Sequence, residues 1–161
     1  MRIKLNLTNK VIWLQCLLRF KDLRIQIFYD DITYRIRSGI QIKNLIKNIV
    51  ASENYTAGEI NIIVTSDKKL IKINNEFLKH NYYTDVISFS YNNDKIVNGE
   101  VYISLETVKR NAINYGVSLR KELIRVIIHG ILHLCGYKDI ITEEKNIMIE
   151  KEDIWLKTIY K

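Results

Sequence analysis

The chain has 161 residues, 47% of them apolar and 27% charged, with a formal net charge of +7. That length fits one domain with its own hydrophobic core, and the balance excludes a disordered chain. Five of the net positive charges come from Arg2, Lys4, Lys10, Arg19 and Lys21, so residues 22–161 carry only +2 and the basic balance says little about a polyanionic partner of the main body.

Residues 1–21 are read as an N-terminal extension, poorly ordered. Their apolar run, Val11–Leu18 broken by Gln15, falls well short of the about 20 residues a bilayer span needs. No small-residue cleavage site follows it, since the chain continues Arg19-Phe20-Lys21-Asp22. The expected location is therefore the cytoplasm, with no membrane partner. Cys16 and Cys135 do not make a disulfide framework and read as reduced thiols.

From Leu23 onwards the chain reads as one domain, residues 22–161. Leu23–Tyr29 alternates apolar and polar residues and predicts a half-buried strand, with Asp30-Asp31 as a turn and Ile32–Ile36 as a second short strand. Ile40, Ile42, Leu45, Ile46, Ile49 and Val50 recur at helical spacing and predict a helix over residues 40–52. Gly58 precedes a strand at Glu59–Thr65. Ser66 is placed to cap a helix from Asp67 to Leu78, with Leu70, Ile71, Ile73, Asn74 and Phe77 on its buried face. Lys79–Thr84 reads as a loop and Asp85–Tyr91 as a strand. Asn92-Asn93-Asp94 is a turn, and Lys95–Val97 and Glu100–Ser104 follow as two strands. Ser104 caps a helix to Tyr115. Ser118 caps the next, Leu119–Cys135, closed by Gly136 in a left-handed conformation. Thr142 opens the last helix. Strands and helices mix without strict alternation, so the expected class is α+β: a small mixed sheet packed by about five helices.

The chemistry concentrates between His129 and Asp139. His129 and His133 stand at i and i+4 on a helix, sharing one face about 6 Å apart along the axis. Two imidazoles so placed can bind one ion, and the turn at Gly136-Tyr137 can return Asp139 to it. Three protein ligands leave a position open for water, the pattern of a catalytic zinc site. The rest of the helix is strongly apolar, so two polar rings on it need a reason. Gly130 in mid-helix costs about 1 kcal/mol relative to alanine and points to a close approach by another backbone or a ligand. In the zinc-protease motif H-E-x-x-H a glutamate follows the first histidine as general base; here that position is Gly130, which argues against peptide substrates. Cys135 points away from His133 and reads as core.

His129 through Tyr137 closely resembles the signature H-G-x-L-H-L-x-G-Y-D-H of the YbeY family of bacterial endoribonucleases, with Lys138 and Asp139 where Asp and a third His are usual. Thr84-Asp85-Val86-Ile87-Ser88-Phe89 resembles its P-T-D-V-L-S-F, with Tyr83 in place of proline. Gly99-Glu100-Val101-Tyr102-Ile103-Ser104 resembles its G-D-I-x-I-S. The resemblance covers the chain from Leu23 onwards. It implies a metal-dependent, single-strand endoribonuclease of ribosomal RNA maturation, acting at the 3′ end of the small-subunit RNA and in ribosome quality control. It also implies ribosomal RNA and ribosomal subunits as partners and no small-molecule cofactor. One divalent ion, zinc, is expected on His129, His133 and Asp139, the carboxylate making the site harder than three histidines would.

The family usually carries a catalytic arginine in the loop before P-T-D, and here Leu78 and Lys79 stand at that place. Lysine offers charge to a phosphate but not arginine's bidentate fork. Lys79, His80, Thr84 and Asp85 are the candidates for substrate contact. Lys68, Lys69 and Lys72 are placed to follow the RNA backbone, and Tyr82, Tyr83 and Tyr91 to stack on unpaired bases. Two other readings remain at this point: a non-catalytic ribosome-assembly factor with a structural metal, and a metallohydrolase of another substrate class.

Overall fold

The computed structural model describes residues 25–160. The expectation for residues 1–21, the reading of Cys16, and Leu23 and Arg24 at the start of the first strand lie outside the described residues. β1 (Ile25–Tyr29) is followed by α1 (Gly39–Ser52), β2 (Thr56–Thr65), α2 (Asp67–Leu78), β3 (Val86–Ser90), β4 (Ile96–Ser104), α3 (Leu105–Asn114), α4 (Leu119–Leu134) and α5 (Thr142–Ile159). The strands form one sheet in the order β1-β2-β4-β3. β1, β2 and β4 run parallel, and the edge strand β3 runs antiparallel to β4. This is the α+β class, with a small mixed sheet and five helices among the described residues.

The connections follow from the strand directions. Parallel neighbours need a crossover of a dozen or more residues, and α1 supplies it between β1 and β2. Antiparallel β3 and β4 need only a short turn, which the asparagine-rich segment provides with Asp94 at φ 49°. Asn92 also donates from Nδ2 to the Leu134 carbonyl at 2.7 Å, fastening this hairpin to the end of α4.

α4 carries the core. Leu123, Ile124, Val126, Ile127, Ile128, Ile131, Leu132 and Leu134 are all buried, because the sheet lies on one side and α1, α3 and α5 pack around the rest. A helix buried on nearly every side is apolar on nearly every side. The mid-helix glycine lets it approach the sheet: a Cβ on Gly130 would stand 2.4 Å from Val101 Cγ1 and 3.3 Å from Ser88 Oγ and Val86 Cγ2. The close approach expected there is thus made by side chains of the sheet.

Several expectations are corrected. Ile32–Ile36 is not a strand. Its period-two burial is real, since Ile32, Tyr34 and Ile36 pack on the core while Thr33 and Arg35 are exposed. The backbone groups find side chains and local partners instead of a ladder: the Ile36 amide donates to Tyr29 Oη at 3.0 Å and Arg35 to the Ile32 carbonyl at 2.9 Å. The two strands read at residues 95–104 are one continuous strand, and β2 begins earlier than expected, through a register shift between Ala57 and Ile60. Ile40 is 77% exposed, at the edge of the buried face of α1.

On α2 only Leu70 and Asn74 are fully buried, and Phe77 is 62% exposed. Val101 faces α4, so alternation turns Tyr102 to the other face of the sheet, where Phe77, Phe89 and Tyr102 meet edge to face. Among the described residues α2 packs on that face, and Phe77 in its last turn stays largely exposed. Ser66 precedes α2 but makes no side-chain cap; its hydroxyl bonds Asp31 Oδ2 at 3.1 Å. Ser104 and Ser118 do cap α3 and α4.

Candidate metal centre

The end of α4 sets the geometry. Gly136 has φ +97°, its amide donates to the His133 carbonyl at 2.9 Å, and the Tyr137 amide donates to the Leu132 carbonyl at 3.1 Å. This pair of bonds closes the helix in a Schellman motif, as the glycine predicts. The chain then doubles back, and Asp139 returns to the face that carries both histidines.

One nitrogen of each imidazole and one carboxylate oxygen of Asp139 all lie within 4.8 Å of one another. His129 Nε2 and His133 Nε2 are 2.9 Å apart, and Asp139 Oδ2 and Oδ1 stand 3.6 Å and 3.9 Å from them respectively. The opposite ring nitrogens face acceptors. His129 Nδ1 lies 2.7 Å from Glu152 Oε1, and His133 Nδ1 lies 2.9 Å from the Tyr137 carbonyl. An acceptor at Nδ1 places the proton there and leaves the lone pair on Nε2. Two Nε2 lone pairs and a carboxylate therefore converge on one point, a donor set that fits a divalent cation. Burial, and next the neighbouring His129, hold His133 below the usual imidazole range, against the pull of the Tyr137 carbonyl and Asp139. The ring stays neutral at neutral pH, as a ligand must.

Behind the rings lies a layer that the sequence reading missed. Arg125 donates to both oxygens of Glu122, at 3.0 and 2.6 Å, and to Glu152 Oε2 at 2.9 Å. Its guanidinium also stands 3.7 Å from Asp85. Burial opposes ionisation of Glu152, but its bonds from His129 and Arg125 outweigh that and hold its carboxyl below the usual range. On the other side, Tyr137 is pinned by its hydroxyl to Glu53 at 2.7 Å, and Lys151 donates to the same carboxylate at 2.6 Å. One signal was present: Glu122, Arg125 and His129 fall at i, i+3 and i+7, a polar stripe on an apolar helix. Nothing local marks Glu152 as its partner.

A cleft of about 520 Å³ opens beside the cluster, lined by His133 and Asp139 together with Asn74, Leu78, His80, Tyr82, Thr84 and Ser88. Of the candidates for substrate contact, His80 and Thr84 line it, as does Leu78, which the resemblance sets against the family's arginine. Lys79 is not on its wall, and its Nζ bonds the Glu76 carbonyl at 3.1 Å. Asp85 lies behind it with Arg125 and Asn111. Tyr82 lines the cleft and stacks on His80 with ring centroids 5.1 Å apart, whereas Tyr83 and Tyr91 are exposed away from it. Lys69 is engaged by Asp30. Cys135 belongs to the core, and burial pushes its thiol up to about 12.

A one-domain α+β protein with a His-His-carboxylate cluster at the head of an open cleft falls in the class of metal-dependent hydrolases. Within that class the chain belongs to the endoribonuclease YbeY family, whose family model matches residues 29–160. It is 41% identical over 133 residues to the endoribonuclease YbeY of Flavobacterium psychrophilum, covering 83% of this chain and 95% of that one. With the endoribonuclease YbeY of Bacteroides thetaiotaomicron it shares 46% identity over 108 residues, 67% of this chain and 79% of the relative. A solution structure of a Thermotoga maritima protein superposes with a TM-score of 0.57 at 28% identity, covering 84% of this chain and 89% of that one. Among the described residues no helix is long and apolar enough to cross a membrane.

Proposed function

We propose that this chain is a metal-dependent endoribonuclease that cleaves unpaired ribosomal RNA, with one zinc ion held by His129, His133 and Asp139. Its place is the cytoplasm, on ribosomal subunits, in maturation of the small-subunit RNA 3′ end and in ribosome quality control. The observation that carries the reading is the pair of Nε2 atoms 2.9 Å apart, each with its Nδ1 facing an acceptor, at the head of a cleft that also holds Asp139. An ion there supplies the positive charge that activates water and draws electrons from a phosphoryl oxygen.

The protein groups do the rest. The Glu152 carboxylate and the Tyr137 carbonyl face the Nδ1 atoms of the two imidazoles and leave both Nε2 atoms toward the cleft. The stacked His80–Tyr82 pair offers a flat surface at the cleft wall for an unpaired base. Thr84 and His80 provide polar contacts beside His133. Lys79 can leave its bond to Glu76 for a phosphate on the approach.

A non-catalytic assembly role is not favoured, because the cluster faces an open cleft rather than a closed four-ligand cage. Peptide hydrolysis is not favoured either: the base position of the protease motif is Gly130, packed against Val101. The test is cleavage of a ribosomal RNA fragment with unpaired ends by the zinc-loaded protein. Cleavage that is lost on chelation and in His133→Ala supports the reading. Tight RNA binding without cleavage under any divalent metal would replace it with the assembly-factor role.

A further inference from the structure

Glu152 and Glu122 are 4% and 2% exposed, and with the partly exposed Asp85 they share, among the described residues, a single guanidinium, that of Arg125. Two buried carboxylates against one cation is an unbalanced arrangement, costly unless another positive group completes it. Arg125 takes both oxygens of Glu122 but only Oε2 of Glu152. The remaining oxygen, Oε1, is aimed at His129 Nδ1 at 2.7 Å. The side chains run in a line from Glu122 through Arg125 and Glu152 to His129, and the Nε2 of that ring faces the ion site.

We infer that Glu152 is the positioning residue of the metal centre: its carboxylate fixes the tautomer and direction of His129 through one oxygen, while Arg125 holds the other. A carboxylate on the far nitrogen makes an imidazole a stronger donor, and loss of such a partner typically costs 10–100-fold in metal affinity. The surplus negative charge of the layer acts in the same direction. Arg125 also reaches Asp85, next to Thr84 on the cleft wall, so the same guanidinium ties the metal helix to the substrate side. The inference rests on the metal-site reading above.

The experiment compares wild type, Glu152→Gln, Glu122→Gln and His133→Ala by zinc titration against a chromophoric chelator, with the melting temperature of each metal-free protein. Glutamine keeps the shape and removes the charge. Glu122 is equally buried and bonds the same arginine but does not touch His129, so it controls for stability. The expected result is a 10–100-fold weaker zinc affinity in Glu152→Gln and less than threefold in Glu122→Gln, whatever their melting temperatures. Equal losses in the two variants, or none in Glu152→Gln, would overturn the positioning role. If His133→Ala binds zinc as tightly as wild type, the metal-site reading itself fails. Nitrogen-15 imidazole spectra of the metal-free wild type need no variant to fold: they should show His129 protonated at Nδ1 and bare at Nε2. The opposite tautomer would also overturn the inference.

Discussion

Leu78 stands on the cleft wall, 44% exposed and beside His80 and Thr84, at the position that the resemblance sets against the family's arginine. An apolar residue there cannot hold a phosphate, and the neighbouring lysine turns back to its own helix. Leu78→Arg should therefore add one phosphate contact. RNA affinity should rise, and the plot of log affinity against log salt should steepen by about 0.7, the increment for one contact to a single strand. Filter binding over a range of salt concentrations checks this, and an unchanged slope would place the RNA backbone elsewhere. A second prediction concerns His133. Its folded pKa lies below the ordinary imidazole value, so the unfolded chain takes the proton first as pH falls. Its contribution is complete above about 6.5 and is lost as pH drops below that, and proton competition for the ligand adds to the loss. Melting temperature should fall between about pH 7 and pH 5 in the zinc-loaded wild type, and much less in His133→Ala. The cluster of His129, His133 and Asp139 was legible in the sequence because helical spacing and a glycine stop fix its geometry locally. Glu152 was not, since it reaches His129 from another helix, 23 residues away in sequence.

At the scale of elements, α4 was the most legible, because a capping serine, a long apolar run and a closing glycine all agree. The segment 32–36 shows the opposite case. Its alternation reports which side chains are buried, but burial alone does not make a ladder: β1 lies at the sheet edge, yet the Ile36 amide takes the Tyr29 hydroxyl and the Ile32 carbonyl takes Arg35 instead. The exposed Phe77 has the same origin: helical spacing marked one apolar face on α2 but not how much of it the sheet would cover. Gly130 gives a test of how closely α4 must lie on β4. Alanine would gain about 1 kcal/mol of helix propensity. It would also place a methyl 2.4 Å from Val101 Cγ1, and overpacking of that kind costs about 1–3 kcal/mol. Gly130→Ala should be net destabilising and, by lifting His129 away from the sheet, should weaken zinc binding. Val101→Ala in the same chain should recover part of the zinc affinity. Urea unfolding and zinc titration of the single and double variants check both parts, and a Gly130→Ala protein more stable than wild type would show that the helix has room to move.

Across the whole molecule, the site draws on elements far apart in the chain. α4 gives two of the candidate ligands and the connection to α5 gives the third. α5 supplies Glu152 and Lys151, α1 ends beside Glu53, and β3 is preceded by Asp85. An ion bound there adds to a seam between helices already joined by the Arg125–Glu152 ion pair and by apolar packing, in which α5 fully buries Met148 and Leu156 and partly buries Trp155 and Ile159. Occupancy should therefore be felt as global stability. At an ion concentration 100 times its dissociation constant, binding to the folded state alone adds about 2.7 kcal/mol. For a chain of this size that corresponds to a rise in melting temperature on the order of 5–10 °C. Thermal unfolding with zinc and with excess chelator should differ by that amount in wild type and by almost nothing in His133→Ala. Hydrogen exchange should locate the effect in residues 136–145 and the first turns of α5, which have few buried side chains of their own and depend on Asp139 being held. Equal melting with and without chelator, together with intact zinc binding, would mean that the unfolded chain binds the ion as tightly as the folded one, through side chains that need no preformed site.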